Sequence, residues 1–374
     1  MTAVNAIKTS RALLFLMAAV IAGGACSNSH KEEHKILCTQ VDFSVFTERS
    51  FASYLEGNKK SITIVPLDSS VIMDVYRGLS REDGSFLLSD RQMRRLLAVS
   101  SINGYYLGDV GRFGRAENEY LQVTGFDRDK NGNIWVLDAR GKSLLEYDGS
   151  TYAFKAKKKL EFTALDIKCL ENGGFLFFLF PYTEGSTKGY QLMKTDADLK
   201  PLEYLLPYSD NLDANSLLMT RSFNAGPSGS VVSANMYIDD YVTVLDGKGT
   251  IMNQFEFNFG KYRIPDDIRA SISLHAEEFI HFRSICAPVL IQDSWVCGQL
   301  FNKGVYSFFL ADRKERILYI PEETPELISL VECSSGKMVL LLHAAPGNPY
   351  ASALGLAEAA SDYLIIIEEA ISDK

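Results

Sequence analysis

Hydrophobic runs along this chain are short, and five times they follow one layout. A mostly apolar strand ends on Asp, a polar turn intervenes, and a second apolar strand follows. The copies are Phe86–Val99, Ile134–Tyr147, Gln191–Tyr204, Val242–Phe255 and Phe308–Ile320, with acids at Asp90, Asp138, Asp196, Asp246 and Asp312. At the first position of a turn an Asp carboxylate accepts backbone N–H groups two residues ahead, so these acids are expected to shape hairpins rather than to catalyse. They stand 48, 58, 50 and 66 residues apart, too far for one solenoid turn and suited to a four-stranded sheet with loops. A sixth pair, Lys337–His343 and Tyr363–Glu368, flanks a loop with Pro346, Gly347 and Pro349, and Gly-rich corners recur at Gly84, Asn131-Gly132, Gly173-Gly174 and Gly226-Pro227-Ser228-Gly229. Six sheets in the 337 residues from Cys38 onward give about 56 residues each. Each sheet alone would leave two faces and two edges open, whereas radial stacking buries the faces and ring closure protects the edges. The fold class expected is therefore all-β, a six-bladed β-propeller of four-stranded antiparallel blades. An early strand, Ser61–Leu67, is expected to complete the last blade, with helices confined to short stretches near Asp266–Phe282 and Ala351–Ala360.

The first residues carry an address. Lys8 and Arg11 precede an apolar run, Ala12–Ala22, followed by Gly23, Gly24, Ala25 and Cys26. Eleven helical residues rise only about 16 Å, roughly half a hydrocarbon core, so the run reads as a secretory signal and not a span. Small residues ending at a cysteine resemble the lipobox of bacterial lipoproteins, which implies removal of residues 1–25 and lipidation of Cys26. Gly23 stands where that motif usually has an aliphatic residue, so ordinary signal cleavage stays open. Residues 27–35 contain no apolar side chain, and 26–36 read as a flexible tether before a 37–374 propeller. Ser27 after the cysteine resembles lipoproteins of the Gram-negative outer membrane, on its periplasmic or outer surface; Glu32-Glu33 loosely resembles a surface-export tract.

Composition narrows the partners. With 38 Lys+Arg against 47 Asp+Glu the net charge is −9, which disfavours nucleic acid as a partner. Hydrophobic residues make up 47% and charged residues 23%, so a folded globular core is expected, and a membrane contact only through the lipid anchor. Five cysteines follow Cys26, with no CxxC pair, and buried free thiols are expected. Cys286 and Cys297 form the one close pair, placed to face each other across a hairpin if their backbones come close enough.

Gly108–Asp148 reads GDVGRFGRAENEYLQVTGFDRDKNGNIWVLDARGKSLLEYD. It resembles the six-bladed propeller lipoproteins of gut-type Gram-negative bacteria, and more distantly NHL-repeat and TolB-like propellers. Gly111, Gly114, Glu119 and Tyr120 match the family's Gly-x-x-Gly-x-Gly-Pro-Gly-Glu-Tyr stretch, while Ala116, Glu117 and Asn118 replace its Gly, Pro and Gly. Ile62–Leu67 matches its opening strand. The resemblance implies a fold and an address more than an activity.

Candidate chemistry is sparse. Asp127, Asp129, Asn131, Gly132, Ile134 and Asp138 imitate an EF-hand loop, but a strand from Ile134 would carry Asp138 about 13 Å away, so a hairpin turn is the favoured reading. His275 and His281 lack the H-E-x-x-H spacing of a zinc site. The candidate ligand-binding residues are Arg112, Arg115, Glu119 and Tyr120 on an inter-blade loop, Tyr237 and Asp239 on a second turn, and His343 at a strand end that opens toward the central channel. Lys155, Lys157, Lys158 and Lys159 read as a protected edge. The expected function is a non-enzymatic envelope binding module for a peptide, glycan or partner protein, with no catalytic residues and no cofactor. The alternative is a metal-dependent hydrolase or lyase, lactonase-like, holding a divalent ion at the central channel through carboxylates from several blades.

Overall fold

The computed structural model describes residues 36–68, 74–180, 189–208, 221–226, 229–234, 240–322, 326–334, 336–343, 345–356 and 361–368. Cys26, Tyr237 and Asp239 lie outside the described residues. Contacts separate Met1–Ile36 from a second unit, Leu37–Lys374, which holds every blade.

Six antiparallel sheets follow one another along the chain. Blade 1 runs through Val75–Ser80, Ser85–Asp90, Arg95–Ser100 and Tyr106–Asp109. Blade 2 comprises Gly125–Arg128, Ile134–Asp138, Ser143–Tyr147 and Phe154–Lys159. Blade 3 comprises Ala164–Cys169, Phe175–Leu179, Tyr190–Thr195 and Pro201–Pro207, and blade 4 Phe223–Ala225, Val231–Ala234, Tyr241–Leu245 and Ile251–Asn258. Blade 5 starts with Arg283–Ile285 and continues through Trp295–Asn302, Val305–Asp312 and Ile317–Ile320. Blade 6 takes Ile328–Ser334, Lys337–Leu342 and Tyr363–Glu368 from the chain's end and its fourth strand from near the beginning. That fourth strand is Thr63–Pro66, inside the segment expected to close the ring, with Ile366 paired to Thr63 and Tyr363 to Pro66.

The closing strand is the last of three that the N-terminal segment lays on consecutive outer edges. The first, β1 (Leu37–Asp42), pairs in parallel with the outer strand of blade 4, from Leu37 opposite Asn253 to Asp42 opposite Asn258. The second, β2 (Thr47–Ser50), pairs in parallel with the outer strand of blade 5, and Thr63–Pro66 is β3. Blades 4 and 5 thus carry a fifth strand that the repeat pattern does not announce. Exposed edges invite pairing with other chains; the strap covers the outer strands of blades 4 and 5 and supplies the outer strand of blade 6, so that its own short strands form the edges there. The other outer strands protect themselves: a bulge opposite Ala98 and Val99 in blade 1, the lysines of Phe154–Lys159 in blade 2, and a proline at each end of Pro201–Pro207 in blade 3.

Between β2 and β3 the chain forms a helix, Phe51–Asn58, absent from the sequence expectations. Phe51 and Leu55 are buried against Phe308 and against Tyr350 and Leu354 of the short helix Pro349–Leu354. The stretch expected as a helix at Asp266–Phe282 contains two single turns, Asp266–Arg269 and Ala276–Phe279.

The five Asp turns do their expected local work. Asp196 Oδ1 accepts from the N–H groups of Asp198 and Lys200, Asp246 Oδ1 from Lys248 and Thr250, and Asp312 Oδ1 from Lys314 and Glu315. They do not mark one position of the blade, however. Asp90 and Asp138 end second strands, whereas Asp196, Asp246 and Asp312 end third strands. A tight hairpin of either kind needs an acceptor at its first position, so the repeat records turn chemistry and not blade phase.

The strap is fastened to blade 5 by Arg283, whose Nη1 and Nη2 donate to Glu48 Oε1 and Oε2 at 2.6 and 3.0 Å. These hydrogen bonds hold the Glu48 carboxyl below its ordinary value, against a smaller opposing effect of burial. A lowered carboxyl pKa contributes stability that is present above the unfolded value, near pH 4.5, and disappears as pH falls through the folded one. The urea midpoint of the wild type should therefore exceed that of Glu48→Gln at pH 7, and the two should converge as the pH falls below 4.5 through the lowered pKa.

Candidate functional site

The inner strands of a propeller meet at the axis, where their sequence-distant side chains become neighbours. Here the first strands of blades 1, 2, 3, 4 and 6 line a pit of about 20 Å³ with Arg77, Asp127, Lys168, Asn224, Glu332 and Ser334, joined by Arg221 just ahead of the blade 4 strand. Apart from half-buried Lys168 these residues are buried. Close backbone approach makes room for them. A Cβ on Gly78 would lie 2.6 Å from Val331 Cγ1, and one on Gly125 would lie 2.5 Å from Asp166 Oδ1.

Most junctions between blades are clasped by these groups or by Asp166 beside them. Arg77 Nη1 donates to Asp166 Oδ1 at 2.7 Å, joining blades 1 and 3 while its guanidinium lies over the Phe126 ring of blade 2. Asp166 Oδ2 accepts from the N–H groups of Ser222 and Phe223 at the start of blade 4. Lys168 Nζ and the Cys169 N–H donate to the two oxygens of Asp127, joining blades 2 and 3. Glu332 Oε2 accepts from the Ser80 N–H and hydroxyl at 2.7 and 2.6 Å, joining blades 6 and 1, and Oε1 accepts from Ser334 Oγ. Asn224 Nδ2 donates to Pro288 O at 2.8 Å and to Cys333 Sγ at 3.3 Å, reaching blades 5 and 6 from blade 4. Arg221 Nη2 donates to Leu330 O at 3.3 Å.

Burial disfavours the Arg77 charge, but the Asp166 carboxylate outweighs it, and the guanidinium pKa is raised. For Arg221 burial dominates and the pKa is lowered. Burial likewise pushes the Cys297 thiol up, whereas at Cys333 it is outweighed by a hydrogen bond with Cys297 and the field of Arg221, and that thiol is lowered. The five described cysteines are unbridged, and Cys297 has Cys333 as its sulfur neighbour, Cys333 Sγ donating to Cys297 O at 3.4 Å.

One residue along the blade 3 strand from Lys168, Cys169 borders a second cavity, a notch of about 210 Å³ between blades 2 and 3. Asp129, Asn133, Glu146, Trp135 and Phe175 line it, with the two aromatic rings edge to face at 4.9 Å. Its volume is below the roughly 300–1,000 Å³ of drug-sized sites, so it suits one ring or one side chain. Asp129, central to the EF-hand imitation, accepts from the N–H groups of Asn131 and Asn133 and from Trp135 Nε1, as a hairpin turn requires. Among the described residues no three His, Cys, Asp or Glu side chains gather as a metal site would need.

The residues singled out in the sequence lie elsewhere. Arg112–Phe113 and Glu119–Tyr120 pair as a short parallel ribbon between blades 1 and 2. Glu119 accepts from Arg112 Nε at 2.6 Å and from the Ala116 N–H at 2.8 Å, while Arg112 and Arg115 are exposed. Tyr120 is fully buried, its hydroxyl accepting from the Leu96 N–H and its pKa pushed up by burial, so it braces the loop from within. His343 follows the second strand of blade 6, and its Nδ1 lies 3.4 Å from Asp362 Oδ2. In the sequence Asp127 reads only as part of a turn, and the other axial residues escape sequence reading because each strand contributes just a few polar residues among apolar neighbours, with nothing to show that the strands converge.

Removing one partner of a buried pair strands the other charge. Asp166→Ala is therefore expected to cost about 3–5 kcal/mol, measured by urea unfolding, and Arg77→Met added to it should recover part of that loss.

The sequence profile of a family described as 6-bladed beta-propeller matches residues 28–278. Among solved structures, a Bacteroides fragilis protein designated as exported aligns with a TM-score of 0.70 at 15% identity, covering 89% of this chain and 100% of its own. A streptogramin B lyase aligns at a TM-score of 0.47 and 10% identity, covering 82% and 98%. The virginiamycin B lyase of Staphylococcus aureus aligns at 0.40 and 11% identity, covering 75% and 80%. Among curated proteins, none matches the chain in sequence. The axial clasp, the closing strand and the match over residues 28–278 agree: the chain belongs to the 6-bladed beta-propeller family.

Proposed function

We propose that this protein is a lipid-anchored binding module of the Gram-negative cell envelope, tethered to the outer membrane through Cys26 and presenting its channel mouth to a peptide, glycan or partner protein. The observation that carries the reading is the axial pit, where five blades bring three cations and two carboxylates together, with an aromatic notch one residue along from Lys168. Convergent polar groups in a concave site are what fix a ligand's orientation. The address rests on the signal-like run before Cys26 and gains support from the exported designation of the B. fragilis relative. Among the described residues no helix is long and apolar enough to cross a membrane.

Two measurements test this. In cells, the wild type is expected to fractionate with membranes and take up labelled fatty acid, and Cys26→Ser to lose both; an unlabelled wild type sinks the anchor. On glycan and peptide arrays, the chain from Ser27 onward, whose ring closes within residues 37–374, is expected to bind a restricted set of probes. Lys168→Gln, which alters the pit, should weaken those signals about tenfold or more. Silence on both arrays, or signals indifferent to Lys168, would remove the binding reading.

A further inference from the structure

The axial charges do not all find partners. Asp166 is held by Arg77 and two N–H groups, Asp127 by Lys168 and the Cys169 N–H, and Glu332 by the Ser80 N–H and the hydroxyls of Ser80 and Ser334. Arg221 is the cation left over. It is only 6% exposed, lines the pit, and gives a single hydrogen bond, to the Leu330 carbonyl, from a side chain with five N–H donors. Among the described residues it forms no ion pair. Cys333, Glu332 and Asp166 act on it only through their fields, without a direct contact, and burial still outweighs them; an incoming anion bonded to its remaining N–H groups would relieve the cost of that burial.

The shape of the pit selects the anion. About 20 Å³ admits one small polar group and no ring. A planar guanidinium fork matches a carboxylate with two parallel N–H···O bonds. A carboxylate on a sugar ring would bring the ring with it, whereas a carboxylate at the end of a peptide sits on a thin main chain, and the adjacent notch has room for one side chain. We propose that Arg221 receives the C-terminal carboxylate of a peptide ending in a small residue. This rests on the pit being the binding site of the module described above.

The test compares acetyl-trialanine carrying a free carboxylate with the same peptide as its amide, and galacturonate with galactose. Each is titrated by calorimetry into the chain from Ser27 onward at fixed sodium chloride. The free acid is expected to bind roughly ten- to a hundredfold more tightly than the amide. Arg221→Gln should erase that difference, and Arg221→Lys should keep part of it; thermal unfolding of both variants checks that they fold, and Arg221→Lys decides the matter if Arg221→Gln does not. Equal binding of acid and amide, no binding of either, or full binding of the acid by a folded Arg221→Gln overturns the proposal. Tighter binding of galacturonate than of the acid peptide overturns the peptide assignment, as does a chloride titration that stabilises the protein as much as the peptide does. Array signals that depend on Lys168 but ignore Arg221 would leave the binding module standing while removing this inference.

Discussion

Four residues near the start of the chain, Thr63–Pro66, pair with a strand that ends at Glu368, and everything else in the ring leans on that pairing. Bringing together segments about 300 residues apart carries a loop-closure cost that grows only slowly with length. What the pairing returns is disproportionate, because an open ring would expose the faces of blades 6 and 1 to water. Val65 and Leu67 instead share a core with Val339, Leu341, Leu364 and Ile366 of blade 6 and with Val75, Leu88 and Val99 of blade 1. The strands β1 and β2 extend the same device backwards along the chain, so that the N-terminal segment staples three consecutive blades. The helix Phe51–Asn58 then fills the space over blades 5 and 6 with Phe51 and Leu55.

Closure also creates the axis. Ser80 and Glu332 meet only because the ring turns through its full circle, whereas Arg77 and Asp166 meet because the first strands of blades 1 and 3 converge on the axis. Buried ion pairs of this kind add little net stability, since desolvation offsets most of the attraction. Their effect is on arrangement: a blade shifted along the axis would leave a carboxylate without its donors, so the clasps favour one alignment of the first strands. Arg221 departs from this arrangement: among the described residues it enters no ion pair, and its single hydrogen bond goes to the Leu330 carbonyl.

The ribbon between blades 1 and 2 shows how a motif and a function separate. Gly114 leaves the space occupied by the Glu119 carboxylate, whose oxygen a Cβ would approach within 1.9 Å. Glu119 holds the turn, and Tyr120 fills the core beneath it beside Val110, Phe126 and Tyr147. Residues that recur as a motif here maintain a loop, while the groups that gather at the axis belong to no contiguous motif. The lysines of Phe154–Lys159 likewise cover an edge, with Lys157 Nζ donating to Glu119 O and Lys158 Nζ to Ala197 O.

The sequence by itself determined the local and periodic features: strands of alternating or continuous apolar residues, Asp-led turns, the sheet count that follows from their spacing, and an early strand free to close the circle. These are legible because turn chemistry and side-chain alternation act over two to ten residues. It also contained the helix Phe51–Asn58 without announcing it, because two buried residues in eight make a weak signal. Tertiary structure decided which hairpin of a blade each Asp serves, which edges the N-terminal segment covers, and which charges face the axis. Those outcomes depend on contacts between residues tens to hundreds of positions apart. The desolvation that makes Arg77, Asp166 and Arg221 consequential exists only once the blades have excluded water around them.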